Sequence, residues 1–234
     1  MISIYDKNIG ETMTELISRF CKENNIKDKV AYAGRLDPLA FGKIILLTGD
    51  DIYKKDTYCN NDKIYETWMI EGITTDTYDI MGLFTNTLEN TLSIRKGSYK
   101  QYYPPFSSIP IRIGELRKPM WYYTKNNIEI PDELRPHKQI TLHDATKLDE
   151  KYISSNELLE LILDRIKRVG SGDFRQNEIC NQWISLFTNS ESKYKISKWR
   201  FHISSGGYIR YLANMVGSTC YDINRISYTP LQKM

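Results

Sequence analysis

The sequence predicts an α+β chain built on a mixed, largely antiparallel sheet flanked by helices. Three observations carry that expectation. Helix-like and strand-like segments follow one another irregularly, without the βαβ rhythm of a parallel sheet. No G-x-G-x-x-G loop is present, which disfavours a dinucleotide-binding fold. The 234 residues are 41% apolar and 26% charged, a globular composition able to bury one sizeable core.

Met13 to Asn25, MTELISRFCKENN, places Leu16, Ile17 and Phe20 at helical spacing and reads as a helix. The run IILLTG is a short buried strand or a helix piece, and periodicity does not decide between them. Lys63 to Gly72, KIYETWMIEG, is rich in β-branched and aromatic residues and reads as a strand, ended by the turn-like TTDTYDIMG. Ser93 to Tyr123 is irregular and rich in Pro and Tyr, and a second strand is expected at about Gln139 to Leu142. Ser154 to Gly170 is the clearest helix, with serine at its start, a Leu/Ile face, late basic residues and a terminal glycine. Residues 171–190 read as loop, and KWRFHISSGGYIRYLANMVG as strand, glycine corner and helix.

Bulk properties narrow the function classes. A formal charge of +3 does not by itself announce a polyanion partner, so the distribution of charge matters more. Cys21, Cys59, Cys180 and Cys220 are widely spaced without a C-x-x-C pair, and only three histidines accompany them, which argues against a zinc site. The N-terminus has no signal or transit pattern, and no apolar run reaches membrane-spanning length. A cytoplasmic protein with free thiols is expected, with nucleus or organelle left open.

The segment AYAGRLDPLAFG holds a lone carboxylate, Asp37, between a leucine and a proline. Asp-Pro is a helix-start signal, and a capping aspartate followed by a short helix is one reading. The other is a nucleophile. Proline keeps the preceding residue extended, which suits a side chain displayed from a rigid loop. A carboxylate in apolar surroundings needs a cation to stay charged, and charge is what a nucleophile requires.

The wider pattern favours the second reading. AYAGRLDPLAFGKIIL is similar to the G-H-T-G-x-L-D-P-x-A-x-G-x-L signature of the TruB-type tRNA pseudouridine synthases. YDKNIGETMTE resembles the family's opening D-K-P-x-G-x-T-S. KIYETWMIEGITTDTYDIMG is similar to K-x-Y-x(7)-G-x-x-T-D-T-x-D-x-x-G, QYYPPFSSIPI to Q-x-P-P-x-[FY]-S-A, and SSGGYIRYLANMVG to K-G-T-Y-I-R-x-L-x-x-D-L-G. The likeness spans about residues 5–147 and 196–230, and it implies the pseudouridine synthase fold.

It also implies an isomerase that converts uridine to pseudouridine in structured RNA, with position 55 in the T-loop of tRNA as the expected target. No cofactor or metal is implied. By resemblance Asp37 is the nucleophile, Tyr65 stacks on the flipped uracil, and Arg210 pairs with Asp37 while Tyr208 faces the base. If Gly207 to Tyr211 is extended, Tyr208 and Arg210 point to one side. Attack at C6 of the base, attack at C1′ of the ribose and assistance to a glycal route all remain open.

From Ser93 to Tyr123, Arg95, Lys96, Lys100, Arg112, Arg117 and Lys118 face a single acid, Glu115, and interleave with aromatic residues. Such a patch suits single-stranded or loop RNA. Tyr32, Arg35 and Lys63 are further candidate RNA contacts. Asp76 and Asp79 are expected to make turn hydrogen bonds rather than hold a metal. Lys7 resembles a structural lysine of the family.

Departures from the pattern are Tyr32 and Ala33 for the family's His and Thr, Asn8 for Pro, Met13 for Ser, Pro110 for Lys and Met215 for Asp. The late L-R-R-T segment is matched only by ISYT, Ile226 to Thr229, with Ile226 a candidate to cover the base. The expectation is a single monomeric catalytic domain over 1–234, carrying an inserted helical segment at about 148–195 and no C-terminal PUA domain. Two rivals are an RNA-binding or RNA-folding protein of the same fold and an aspartate-nucleophile phosphotransferase. The second rival lacks a companion D-x-D for Mg²⁺.

Overall fold

The computed structural model describes residues 1–87, 93–188 and 190–229. Among the described residues, thirteen strands and six α-helices follow one another. They begin with β1 (Ile2–Lys7), α1 (Met13–Glu23), β2 (Val30–Ala33), β3 (Ala40–Thr48) and α2 (Lys55–Cys59). Next come β4 (Asp62–Glu71), β5 (Ile73–Thr75), β6 (Phe84–Thr87), β7 (Gly97–Tyr102), β8 (Pro110–Ile113), β9 (Leu116–Pro119) and α3 (Met120–Lys125). The chain continues with β10 (His137–Ser154), α4 (Ser155–Lys167), α5 (Gln176–Phe187) and β11 (Lys193–Ile203), and ends with α6 (Ile209–Met215), β12 (Ser218–Cys220) and β13 (Ile223–Thr229).

Nine strands form the main sheet, in the order β1-β3-β13-β4-β11-β10-β7, with β2 against β3 and β12 against β4. Every pairing in it is antiparallel except β13 with β3. The expected α+β class and mixed, largely antiparallel sheet are therefore the observed architecture.

Alternation along β4 divides the core between the two faces of the sheet. Tyr65 and Met69 join Phe201, Ile203, Leu212 and Ile223 on one face, which α6 covers. Ile70 and Ile196, opposite each other in the ladder, join Leu158, Ile162, Trp183 and Phe187 of α4 and α5 on the other. Burial of each such side chain contributes about 1.5–3 kcal/mol. Helix α1 starts at a capping box, Thr12 with Glu15, and buries Met13, Leu16 and Phe20 against Ile44 and Leu46 of β3.

Several expectations change in detail. The apolar run after Asp37 is strand, not helix, and Asp-Pro opens a single turn closed by the Ala40 N–H on the Asp37 carbonyl at 3.0 Å. The strand expected at Gln139 to Leu142 runs on to Ser154 as a long hairpin arm against β11. The Pro- and Tyr-rich stretch contains three short strands and the start of α3. Residues 171–190 are not all loop, because Gln176–Phe187 is a helix docked by Ile179, Trp183 and Phe187; residue 189 of that range lies outside the described residues. Residue 230, at the end of the family likeness, also lies outside them. No helix among the described residues is long and apolar enough to cross a membrane.

Candidate active site

Asp37 sits in the loop between β2 and β3, and its neighbours explain its setting. Leu36 and Leu39 are buried in opposite core clusters, so the loop is pinned on both sides of the carboxylate. Lys7 Nζ, buried beneath, donates to the carbonyls of Pro38 at 3.0 Å and Ala40 at 2.6 Å. Burial pulls the Lys7 ammonium pKa down to about 8. From β13, Arg225 donates through Nη2 to the Gly34 carbonyl at 2.9 Å and through Nε to that of Lys43 at 2.6 Å. Gly34 adopts φ +77°, a left-handed turn that favours glycine, and a Cβ there would stand 3.2 Å from Arg225. The Asp37 side chain keeps 34% of its surface open.

Arg210 meets it from α6. Its side chain is 3% exposed, and Nη2 lies 2.8 Å from Asp37 Oδ2. Nη1 donates to the Thr77 carbonyl at 2.6 Å, and Nε points toward Asp79 Oδ2 at 3.6 Å without a hydrogen-bond partner. The guanidinium therefore serves two carboxylates rather than gripping Asp37 in a fork. Burial pushes the Asp79 carboxyl up, while Arg210 and the Thr77 hydroxyl pull it down. Burial works against the Arg210 cation, but Asp37 and Asp79 outweigh it, and its pKa rises.

Tyr208 caps the start of α6 in an extended conformation, so only the stretch before Ile209 is extended. Its N–H donates to Gln101 Oε1 at 2.7 Å, and its ring lies 5.8 Å from the Arg210 guanidinium carbon. Burial, then the Asp37 carboxylate, pushes its phenol up to about 12.

A cavity of about 330 Å³ opens beside the Asp37–Arg210 pair. Arg35, Thr77 and Asp79 line it with Phe106, Trp121, Lys125, Phe174 and Arg175. Tyr65 and Tyr208 are not on its wall. Tyr65 is 7% exposed and packs in the core opposite Phe201, so the structure does not present it as an open stacking face.

The sequence profile of the TruB family pseudouridylate synthases, N-terminal domain, matches residues 22–157. The chain belongs to this family. A tRNA pseudouridine synthase B of Desulfotalea psychrophila is 29% identical over 160 residues, covering 64% of the chain and 62% of that protein. One from Chlamydia pneumoniae is 29% identical over 204 residues, 76% of the chain and 85% of the relative. The chain thus spans less than two thirds of several TruB relatives, 53% of the one from Fusobacterium nucleatum among them. Among solved structures, a Cbf5-Nop10-Gar1 complex contains a chain with the same fold, at a TM-score of 0.52 and 13% identity, covering 100% of this chain and 50% of that one.

Measured against the family pattern, the structure joins Asp37, Arg210 and Arg35 at the cavity and sets Tyr208 beside them. Lys63 is not a surface cation. It is 5% exposed, and its Nζ donates to the carbonyls of Cys59 and Asn61, both at 2.6 Å. Arg95, Lys96, Lys100, Arg117 and Lys118 are exposed. Lys100 lies over the Tyr102 ring at 5.1 Å and Lys118 over Tyr122 at 5.6 Å. Tyr32 is half-buried, with Lys55 Nζ 5.4 Å from its ring. Tyr123, at the end of the basic and aromatic stretch, is the buried centre of the β8–β9–α3 unit rather than an exposed face.

Ile226 falls at a bulge in β13 and does not line the cavity, while Ile223 is buried in the same core cluster as Tyr65. Asp76 and Asp79 make the expected turn bonds, to the Leu83 N–H at 2.9 Å and the Met81 N–H at 3.0 Å, and each also faces an arginine.

Arg175 escaped the sequence reading. It holds Asp76 through two nitrogens, at 2.7 and 3.1 Å, and covers Phe106 at 4.2 Å. It comes from the turn before α5, and the only local signal was an arginine in a Gly-rich loop.

Proposed function

We propose that the chain isomerises uridine to pseudouridine in structured RNA, with uridine 55 of the tRNA T-loop as its target. The observation that carries this reading is the 2.8 Å contact of Arg210 with Asp37 at the cavity wall, within a chain of the TruB family. Relatives over most of the matched length are named tRNA pseudouridine synthase B, which supports the choice of RNA.

The reaction breaks the C1′–N1 bond, turns the freed uracil and rejoins it through C5. N1 gains a proton and C5 loses one, so nothing enters or leaves overall. Arg210 pairs with the Asp37 carboxylate at 2.8 Å and aims it into the cavity. The buried floor of Lys7, Leu36 and Leu39 keeps that carboxylate from withdrawing. Tyr208, held protonated by its raised pKa, offers a neutral hydroxyl and ring next to the pair.

Extrusion of the base costs a few kcal/mol. Stacking on aromatic side chains offsets about 1–3 kcal/mol per base. Phe106, Trp121 and Phe174 supply such faces at the cavity. The exposed cations Arg35, Arg95, Lys96, Lys100, Arg117 and Lys118 are assigned to the RNA backbone. All these groups come from one chain, which fits a monomer.

The test is an unmodified tRNA transcript incubated with the purified chain in EDTA, with pseudouridine mapped by carbodiimide-blocked primer extension. A single stop at position 55 is expected. Binding without any stop contradicts the enzyme assignment, and a stop elsewhere contradicts the target.

A further inference from the structure

Outside the cleft, the main sheet gathers two of the chain's three histidines around one carboxylate. Asp62 opens β4, His202 belongs to β11 and His143 to β10, three neighbouring strands. His202 stands opposite Ile64 in the ladder and so shares a face with Asp62, two residues away. A bulge brings the third group. Leu142 pairs with Ile203 and Asp144 with His202, which leaves His143 as the extra residue beside His202.

Both imidazoles aim Nε2 at the same oxygen. Asp62 Oδ2 lies 2.9 Å from His143 Nε2 and 4.0 Å from His202 Nε2, and the three ligand atoms all fall within 4.8 Å of one another. The rings are 4.7 Å apart, and Thr229 Oγ1 lies 2.8 Å from His202 Nε2. A His–Asp hydrogen bond holds His143 and the Thr229 hydroxyl holds His202, yet both Nε2 atoms stay within 4.0 Å of the one Asp62 oxygen. Two imidazoles and a carboxylate are a donor set of zinc sites that keep a position open, with bonds of about 2.0–2.2 Å. Such bonds set the ligand atoms about 3.3 Å apart. The side chains here are 31–37% exposed, free enough to rotate to that spacing.

We propose that Asp62, His143 and His202 bind one divalent transition-metal ion of the zinc type, which clips β4, β11 and β10 together. The site is remote in sequence because its ligands lie 81 and 59 residues apart, and no short motif announces it. It does not depend on the reading of the cleft.

The test is a calorimetric titration of Zn²⁺ into the full chain after metal removal. One saturable ion per chain is expected, lost in His143→Ala and in His202→Ala. The thermal midpoint of the wild type alone should rise with Zn²⁺ concentration. Circular dichroism checks the fold of each variant, and His143→Gln and His202→Gln, which keep bulk and polarity, serve where the alanine variants do not fold. The four cysteines are free, so Co²⁺ absorption separates the donor sets: imidazole and carboxylate give weak visible bands without thiolate charge transfer. No saturable uptake, uptake that survives the paired His143/His202 substitution, or thiolate absorption would each overturn the proposal.

Discussion

Arg210 answers to two acids, and this division sets what its loss should do. In Arg210→Ala, Asp79 stays buried without its cation while Asp37 loses its counter-charge at the cavity. Removing one partner of a buried pair destabilises by about 3–5 kcal/mol, measurable as a lower urea midpoint. Arg210→Lys keeps the charge but cannot reach Thr77, Asp79 and Asp37 together. It should recover much of the stability while the rate of product formation stays depressed. Equal stability and rate in Arg210→Lys and the wild type would show that the planar reach is irrelevant. At this scale the sequence was most informative. The aspartate, the arginine and their pairing were legible because short motifs fix them, and the leucines beside Asp37 are its anchors. The role of Lys63 was not legible, because strand register and the turn before β4 decide its burial.

At the scale of elements, α5 acts on the site from the far face of the sheet. Trp183 Nε1 donates to the Ile80 carbonyl at 3.1 Å, and Gln182 Oε1 accepts from the Phe84 N–H at 2.6 Å, so α5 supports the turn that carries Asp79. Gly82 belongs to that turn because a Cβ there would stand 2.4 Å from Thr77 Oγ1. Trp183→Ala should cost about 3–5 kcal/mol and slow turnover by loosening Asp79 and Arg210. Denaturant melts and initial rates check both. Arg175→Ala, which strips the outer wall of the cavity, should raise KM more than it lowers kcat.

This helix was hidden for a physical reason. Arg175 at its start is left-handed and makes no side-chain cap, and the residues before it are Gly-rich. Only the stripe Ile179, Trp183, Phe187 marked a buried face. The far half of β10 was hidden differently: it is exposed, and its pairing partner β11 begins only after two intervening helices. Asp-Pro misled because the next residues are claimed by the sheet, which overrides a local cap signal.

For the whole molecule, charge and burial make two predictions. Lys100→Ala and Lys118→Ala should each weaken RNA binding across sequences and reduce the slope of log K against log salt by about 1. Stability should depend on alkaline pH in two phases. Lys7 and Lys63, lowered from 10.5 to about 8 by burial, bind fewer protons in the folded than in the unfolded chain above pH 8, so stability rises from there. Tyr208 and Tyr228, raised from 10.0 to about 12 by burial, keep protons that the unfolded chain releases, so stability falls between pH 10 and 12. Unfolding midpoints across pH 7–11 check the maximum, and Lys7→Met should flatten its rising side.

The nucleophile itself is open to a direct measurement: single-turnover conversion of a tRNA transcript by the wild type and by Asp37→Asn, with RNA affinity determined in parallel. The amide keeps the size of the side chain and leaves the loop anchors in place, so binding should persist while pseudouridine formation disappears. Conversion by Asp37→Asn at a rate near that of the wild type would contradict the assignment of Asp37 as the attacking group.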